Sequence, residues 1–514
     1  MPPRAASRTF RLLLLLASAA YFAFLCIHLS NHRMMWADEF DAWNLLADPS
    51  WHHAFASLNN GADSGPPLYY FLGRCLMAVT GLHPVAMRLY SAFCFWLAAV
   101  VWVHILRRYF GSLLAVAAVV LAFLCNPELV DQIAQVRFYG ELVLAATLAV
   151  RIALWLEEKR PSARLCFAAA ALAGLLLVAS HPLGLLYSAA IVFAQMFTSA
   201  PKRKRAAVLA GTVLSWAYLL IFFLPVKHAA ETDTWLSMPN AAAVLHFYDN
   251  HPLLFLHGRY VSVVLNLVLL CLAVYACVWF LRSRRWKSTQ PNSFALLFYI
   301  AALLLLMPIA FAVLSHLYKP LFLGRYLLPY CLGLLTLAAA GTWLLAQPIL
   351  ERSPRRFAVL LFAPLALLVF LACKQQALNP ASNLAPVLQL AQSTPVVIQD
   401  DGLIRQAHFY APAQAENLFY IMLEPKHGER STLYSIAQQG YEPYLVYDAP
   451  FFKQHPQFLY VDGPWQPRFF NEDLRGNPHW NFENAGAVTI RGVTYPVLRV
   501  THVDSAAPAA TRAH

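Results

Sequence analysis

Acidic side chains follow directly on a long apolar segment near the start of the chain. The segment is followed by Trp36-Ala37-Asp38-Glu39-Phe40-Asp41, in which Asp38 and Glu39 are adjacent. A carboxylate held beside a reacting hydroxyl group can accept its proton as a general base. The alternative interpretation is an ordinary solvated loop. In either case we expect Asp41 and the later Asp63 to be exposed surface charges.

Cationic and aromatic side chains stand at the ends of other apolar segments. These candidates are Arg137 and Tyr139, His181 in the turn Ser180-His181-Pro182, and Lys319, Arg325 and Tyr326. Fixed cations at such positions can stabilise negative charge on a bound ligand or a reacting group. Structural interpretations stay open, because Arg137 can pair with Glu141 along a helix and Arg325 can extend to a membrane interface.

The composition shows what kind of protein must position these side chains. Of 514 residues, 59% are hydrophobic and only 12% are charged, whereas soluble domains carry about 25% charged residues. Such a chain cannot bury its apolar surface in an ordinary globule, which argues against soluble enzymes, nucleic-acid-binding proteins and disordered scaffolds. The sequence predicts a mostly α-helical polytopic membrane protein.

Eleven segments have the length and apolar character of a membrane span, which needs about 20 residues. They are 10–30, 86–106, 111–127, 139–156, 164–180, 183–199, 206–225, 260–281, 293–314, 326–346 and 356–373. We expect the first span to stay uncleaved, because no small-residue cleavage site precedes Trp36. Residues 66–81 are also apolar, but they are few and contain Arg74. We interpret them as an amphipathic helix on the membrane surface.

Lys and Arg residues cluster in alternate loops between these spans. Residues 1–373 hold 28 Lys and Arg against 14 Asp and Glu, while residues 374–514 hold 10 against 12. Loops rich in Lys and Arg stay on the cytoplasmic side of a membrane. This predicts a cytoplasmic N-terminus and places the loops with the candidate residues, together with the last 140 or so residues, on the outer side.

The last part of the chain has a different composition. We predict a membrane domain over residues 1–373, with an outer loop at 31–85, and a small soluble α/β domain over 374–514. Strands are predicted at 395–398, 444–447 and 458–461, and a hairpin is predicted from 487 to 500. We expect the end, from Ser505, to be disordered. The nine cysteines all precede residue 374 and show no zinc-ligand spacing.

The order of these features resembles the GT-C superfamily of polyprenyl-phosphate-sugar-dependent glycosyltransferases. The matching pieces are the acidic pair after the first span, Pro-Pro-Leu-Tyr-Tyr at 66–70, Arg137-Phe138-Tyr139, the His181 turn, and Arg325-Tyr326-Leu327-Leu328-Pro329. The similarity covers residues 1–345 or so. It is greatest to the bacterial branch related to protein O-mannosyltransferases and lipid A aminoarabinose transferases.

The resemblance implies an inverting transfer of a sugar from a lipid phosphate to an acceptor at the outer face. It assigns the base to Asp38, and it implies that Glu39 helps to orient the acceptor or shares the proton. Donor phosphate binding is assigned to a set of six residues. These are Arg137, Tyr139, His181, Lys319, Arg325 and Tyr326. No cofactor is expected, although some superfamily members bind a divalent metal.

Two other function classes are compatible with a polytopic membrane protein. One is a transporter or flippase, and the other is a non-catalytic envelope assembly protein. The charges gather at the ends of spans rather than at their centres, which favours an enzyme at the interface over a transporter. The absence of Asn-x-Ser/Thr acceptor motifs favours a bacterial inner membrane. The sugar, the lipid carrier and the acceptor are left open.

Overall fold

A computed structural model of the chain describes residues 8–222, 236–250, 259–282, 292–376, 383–422, 432–463, 474–475, 477–490 and 492–503. The chain divides into two compact units. The first, the membrane unit, comprises residues 1–31, 65–225 and 234–379. The second, the terminal unit, comprises residues 32–64, 226–233 and 380–514. The expected disorder from Ser505 lies outside the described residues.

The described part of the membrane unit is helical. Its helices are α1 (Arg8–His32, whose last residue belongs to the terminal unit), α4 (Pro67–Thr80), α5 (Pro84–Leu124), α6 (Pro127–Ile133), α7 (Tyr139–Lys159), α8 (Ala163–Ser180), α9 (Gly184–Met196), α10 (Lys202–Phe222), α11 (Ala241–Asn250), α12 (Arg259–Arg282), α13 (Asn292–Leu305), α14 (Met307–Leu317), a 3-10 turn (Gly324–Leu327), α15 (Tyr330–Arg352) and α16 (Pro354–Gln376). Each of the eleven predicted spans overlaps at least one of these helices, and the span predicted at 293–314 covers parts of both α13 and α14. Residues 223–225 of the span predicted at 206–225 lie outside the described residues.

Seven of the described helices are long and apolar enough to cross a membrane, or eight if α13 and α14, bent by 47° at Leu306, form one span. Helix α5 has 41 residues, about twice the length that one bilayer requires. Gly111 interrupts it with a φ of 79°, which explains why the sequence predicts two spans there. Helix α9 has 13 residues and is shorter than predicted. The prediction of a mostly helical, polytopic membrane protein is confirmed.

Helix α4 is the predicted amphipathic helix. Pro67 starts it with a φ suited to a first turn, and it ends at Thr80, before Gly81, which has a φ of 84°. At 14 residues it extends for about 21 Å, too short for a bilayer. Tyr69, Tyr70 and Arg74 are buried, whereas Phe71 and Val79 on the other side are exposed. This one-sided burial is the pattern expected of a helix lying along a membrane surface.

The terminal unit is built around a six-stranded sheet. Its strands are β1 (Val396–Val397), β2 (Leu418–Met422), β3 (Leu445–Tyr447), β4 (Gln457–Val461), β5 (Trp480–Ile490) and β6 (Val493–His502), in the order β3-β2-β1-β4-β6-β5. The first four strands are parallel and β5 and β6 form an antiparallel hairpin. The order 3-2-1-4 is that of a doubly wound α/β fold. The predicted α/β domain, its three short strands and its hairpin are confirmed, while β2 was not predicted.

The described helices of the terminal unit include two from the predicted outer loop, which pack on each other, and α2 also packs on the helix Asp401–Tyr410. The helices of this unit are α2 (Ala37–Ala47), α3 (Trp51–Asn59), α17 (Ala385–Leu390), α18 (Asp401–Tyr410), α19 (Pro412–Ala415), α20 (Thr432–Gln438) and α21 (Asp448–Gln454). Rings of Phe40 and Trp43 meet Phe409 edge-on, with centroids 5.6 and 6.0 Å apart. Residues 32–64 therefore group with the terminal residues, whereas the sequence-based division assigned them to the membrane domain.

Candidate functional site

The adjacent carboxylates Asp38 and Glu39 lie in the first turn of α2. Negative charge is favourable there because it faces the partial positive charge of the helix N-terminus. Glu39 is buried, and its Oε2 accepts a hydrogen bond from the backbone N–H of Trp36 at 3.3 Å. Asp38 is only half-buried. Of the two, Asp38 is thus the carboxylate more accessible to a substrate, and Glu39 helps to begin the helix.

Asp41, one turn after Asp38, belongs to a buried ionic network. Its Oδ1 lies 2.8 Å from Nη1 of Arg405, a side chain that is 1% exposed. The same Nη1 donates to the carbonyl of Ala37 at 2.9 Å, and the Arg405 Nε donates to Glu442 Oε2 at 2.9 Å. Burial raises the pKa of the Asp41 carboxyl well above its usual value, against the lowering influence of Arg405.

The expectation that Asp41 and Asp63 are exposed surface charges is wrong. Asp41 is 9% exposed and Asp63 is 3% exposed. Asp41 is buried because α2 packs on α18 with Arg405 beside it, and Asp63 Oδ1 accepts a backbone hydrogen bond from Ser64 at 2.6 Å. Sequence reasoning missed Arg405 and Glu442, because nothing local to the sequence pairs a residue near 400 with one near 40.

In the membrane unit, His181 sits in a tight turn between α8 and α9. The backbone N–H of His181 donates to the carbonyl of Leu177 at 3.1 Å, and the ring Nδ1 accepts from the backbone N–H of Leu183 at 3.0 Å. Gly184 is required for this turn, because a Cβ there would lie 2.1 Å from the Leu177 carbonyl oxygen. With Nδ1 accepting, the neutral ring carries its proton on Nε2.

Arg137 and Arg325 lie close to this histidine. Burial, followed by the positive charges of Arg137 and Arg325, lowers the pKa of His181 to about 3. The imidazole is therefore neutral at pH 7. Both guanidinium groups are themselves buried, at 4% and 7% exposure. Two arginines and a neutral N–H donor form a strongly positive, hydrogen-bond-donating environment.

Aromatic rings connect these residues into one cluster, which we call the arginine cluster: Arg137, Tyr139, His181, Arg325 and Tyr326. The His181 ring lies 5.1 Å from Tyr326 and 6.2 Å from Tyr139, and the Arg325 guanidinium is 5.9 Å from both tyrosine rings. Tyr187 fixes the 3-10 turn by donating to the Tyr326 carbonyl at 2.6 Å. Five of the six residues predicted to bind phosphate are thus brought together.

Lys319, the sixth predicted residue, is not placed in the cluster by these contacts, and its ammonium lies 5.7 Å from the Tyr318 ring centroid. Glu128, on α6, was not predicted. Burial and the neighbouring Asp131 raise the pKa of Glu128 to about 7, while Arg325 opposes this shift. A carboxyl group that titrates near neutrality thus lies within the electrostatic reach of Arg325. The only local signal was the pair Glu128 and Asp131 three residues apart.

The two units offer different chemistry. The arginine cluster can bind an anion such as a phosphate through bidentate guanidinium groups and ring N–H or O–H donors. Helix α2 offers a half-buried carboxylate suited to accepting a proton. Among the described residues, no group of three or more His, Cys, Asp and Glu side chains has an arrangement that could hold a metal ion.

Comparisons with known proteins find a similar fold among solved structures. No protein-family model matches the chain, and no curated protein matches it. Among solved structures, the Archaeoglobus fulgidus oligosaccharyltransferase tethered with an acceptor peptide is 13% identical, with a TM-score of 0.50. That match covers 84% of this chain and 63% of the oligosaccharyltransferase. The chain therefore shares the fold of this oligosaccharyltransferase.

Two further GT-C structures were found. ArnT from Cupriavidus metallidurans in the apo state is 16% identical over 98% of this chain and 100% of ArnT, with a TM-score of 0.43. The arabinofuranosyltransferase AftD from Mycobacteria is 14% identical over 97% of this chain and 40% of AftD, with a TM-score of 0.47. The GT-C resemblance stated from sequence motifs is confirmed at the level of the fold.

Proposed function

We propose that the protein is an integral membrane glycosyltransferase that moves a sugar from a polyprenyl-phosphate-linked donor to an acceptor, with inversion at the anomeric carbon. The observation that carries the proposal is the arginine cluster, in which Arg137 and Arg325 flank neutral His181. A lipid phosphate that leaves with its negative charge requires such fixed donors. The GT-C fold supports a membrane-bound site of this kind.

Asp38 is the proposed base. Its carboxylate accepts the proton of the acceptor hydroxyl while the hydroxyl oxygen forms a bond to the anomeric carbon. The bond between that carbon and the phosphate oxygen breaks, and its electron pair leaves with the lipid phosphate. Arg137 and Arg325 stabilise the charge on the departing phosphate, and the Nε2–H of His181 can donate to one of its oxygens. A single displacement of this kind needs neither a nucleotide pocket nor a protein nucleophile.

The proposed location is the bacterial inner membrane, with the chemistry on its periplasmic side. The support is the alternation of Lys and Arg clusters between spans, which puts the N-terminus in the cytoplasm. A polyprenyl-phosphate donor is itself a membrane lipid, so it reaches such a site by diffusion within the bilayer. The acceptor is a glycolipid, a polymer or a protein that is accessible from the same side.

The test is mass spectrometry of envelope glycolipids and glycoproteins from cells with and without the gene. We expect one glycoconjugate to lose a single sugar residue on deletion and to regain it on complementation with the wild-type gene. Complementation with Asp38→Asn, at matched membrane abundance, should leave the sugar absent. An unchanged set of glycoconjugates on deletion would contradict the enzyme. Restoration of the sugar by an Asp38→Asn protein would contradict the assignment of Asp38 as the base.

A further inference from the structure

A run of contacts joins helix α2, which carries Asp38, to the crossover helix α18 of the same compact unit. The Gln406 Nε2 donates to the Met35 carbonyl at 2.8 Å, and the Met35 N–H donates to the Tyr410 hydroxyl at 3.0 Å. Arg405 donates to the Ala37 carbonyl at 2.9 Å. These bonds fix the backbone immediately before Asp38, and they come from three positions along a single helix.

Arg405 also holds the helix one turn beyond Asp38. Its Nη1 lies 2.8 Å from the Asp41 carboxylate, so one guanidinium contacts the residue before Asp38 and the residue three places after it. The Arg405 Nε donates a hydrogen bond to one carboxylate oxygen of Glu442. The other carboxylate oxygen of Glu442 accepts a hydrogen bond from the side-chain amide of Asn44, on α2, at 2.7 Å. We call the contacts of Arg405 and Glu442 with Ala37, Asp41 and Asn44 the bracket. Because the planar guanidinium has a fixed donor geometry, these contacts leave α2 little freedom to shift.

The buried ion pair between Arg405 and Glu442 is better suited to fixing the position of α2 than to increasing the free energy of unfolding. Arg405 is 1% exposed and Glu442 is 3% exposed, so both charges are removed from water. Buried ion pairs often contribute little net stability, because desolvation opposes their attraction, yet breaking one of them leaves an uncompensated charge. Apolar residues can pack two helices in more than one register, whereas the contacts of Arg405 with Ala37, Asp41 and Glu442 require these groups to lie at specific distances from one another.

We propose that Arg405 and Glu442 are positioning residues, through which the terminal α/β unit holds α2 so that the Asp38 carboxylate is kept in a single orientation. For its catalytic consequence, though not for the positioning itself, the inference rests on the proposed function. In this proposal the terminal unit holds α2 in place and does not itself need to contact the substrate. The doubly wound sheet supplies the rigid support, since α18 connects the adjacent parallel strands β1 and β2.

The direct test measures the position of α2 without reference to activity. Hydrogen exchange of residues 37–47 is followed by mass spectrometry in the purified full-length protein and in Arg405→Gln. We expect exchange there to accelerate by about tenfold or more, because the opening of a local unit becomes easier when its tertiary contacts are lost. The matched control is Arg475→Gln, since Arg475 also forms an ion pair in this unit, with Asp462, but is exposed. Unchanged exchange of residues 37–47 in Arg405→Gln would overturn the proposal.

A second measurement separates positioning from general damage. Binding of undecaprenyl phosphate, used as the probe, should stay within about twofold of wild type in Arg405→Gln, while the sugar-bearing envelope product falls at least about tenfold. Arg405→Lys should restore part of the product, because it keeps the charge but loses the planar geometry. Parallel loss of lipid binding and product would show a merely structural role and overturn the proposal.

Two further variants keep the outcomes distinct. If Arg405→Gln does not fold, Glu442→Gln provides the same test, because it preserves shape and removes one carboxylate of the bracket; wild-type exchange and product in that variant would contradict the proposal. If Asp38→Asn retains full product, the proposed base is wrong, but the exchange measurement still decides whether Arg405 holds α2.

Discussion

Two adjacent carboxylates occupy different environments at the start of α2. Glu39 is buried and hydrogen-bonded to the Trp36 backbone, whereas Asp38 is half-buried. The sequence identified the pair but could not distinguish its members, because burial depends on which side of α2 packs on α18. Asp41 illustrates the same limit, since its spacing from Asp38 suggested a second surface charge while its partner Arg405 lies far along the chain.

Replacement of Asp38 gives the sharpest prediction at this scale. Asp38→Asn keeps the shape of the side chain but removes its basicity, so transfer should fall by about 10²–10⁴-fold, the usual contribution of a general base. Glu39→Gln should be milder, because the amide oxygen can still accept from Trp36. Product formation at matched membrane abundance measures both. Equal losses in the two variants would assign the effect to the helix start rather than to Asp38.

The arginine cluster predicts an effect on donor binding. Arg137→Gln or Arg325→Gln should weaken binding of undecaprenyl phosphate by about 1.5–3 kcal/mol, the contribution of a charge-assisted hydrogen bond. Lysine at either position should restore only part of it, since the bidentate geometry is lost. Lys319→Gln provides a comparison outside the cluster. Wild-type lipid affinity in both arginine variants would indicate a structural role for these side chains.

His181 predicts a pH dependence of stability. Its pKa is lowered to about 3 in the folded protein, against an ordinary value of 6.5. Between about pH 3 and pH 6.5, His181 is therefore protonated in the unfolded chain and neutral in the folded chain. The stabilising contribution is complete above pH 6.5 and is lost as the pH falls toward 3, with a slope approaching about 1.4 kcal/mol per pH unit.

The check is thermal unfolding of His181→Asn beside wild type between pH 8 and pH 5. The amide oxygen can replace Nδ1 as acceptor from Leu183, so the turn is preserved while the titrating group is removed. The stability of the variant should depend less on pH than that of wild type in the acidic part of this range. Parallel curves for the two proteins would mean that His181 titrates normally.

At the scale of elements, the turn between α8 and α9 depends on a close approach of backbone atoms. Gly184→Ala would place a Cβ 2.1 Å from the Leu177 carbonyl oxygen, so the turn must shift. We expect a loss of about 1–3 kcal/mol in the free energy of unfolding and weaker binding of undecaprenyl phosphate. Gly402→Ala is the control, because its nearest neighbour, Asp400 Oδ1, is 3.4 Å away. An unchanged melting temperature for Gly184→Ala would contradict this account.

Most elements could be predicted from periodicity and length, and the failures have physical causes. The long apolar runs were correctly predicted to be helical because such runs have few alternatives, although eleven spans were predicted and seven or eight of the described helices are long and apolar enough to be one. Strand β2, with the sequence Leu418-Phe419-Tyr420-Ile421-Met422, was missed because a short apolar run fits a helix or a strand equally well. The members of the arginine cluster were predicted through the GT-C resemblance, and their positions at span ends were only a weak signal on their own.

At the scale of the whole molecule, the grouping of residues 32–64 with the terminal sheet could not be anticipated. It depends on contacts such as that between Ala37 and Arg405, which are separated by 368 residues. Local patterns contain no information on such pairings. The sequence-based boundary at residue 373 therefore followed composition, and the compact units follow packing.

Membrane orientation is the prediction that belongs to this scale. A reporter fused after Lys374 should be active outside the cytoplasm, and one fused at Lys204, within a cluster of four basic residues, should be active inside. Paired alkaline phosphatase and fluorescent-protein fusions measure the two sides independently. A cytoplasmic signal after Lys374 would reverse the proposed side of the chemistry.

The bracket around α2 also sets an order of events during synthesis. The ribosome makes Asp38 within the first tenth of the chain, but Arg405 and Glu442 emerge only after the described spans have been made. Until then Asp41 has no guanidinium partner, and α2 has no crossover helix to pack on. A chain that has been made beyond Tyr326 but not as far as Arg405 thus contains every proposed reacting group yet lacks the residues proposed to orient the base. If the proposed function and positioning roles are correct, transfer becomes possible only after Glu442 has been made.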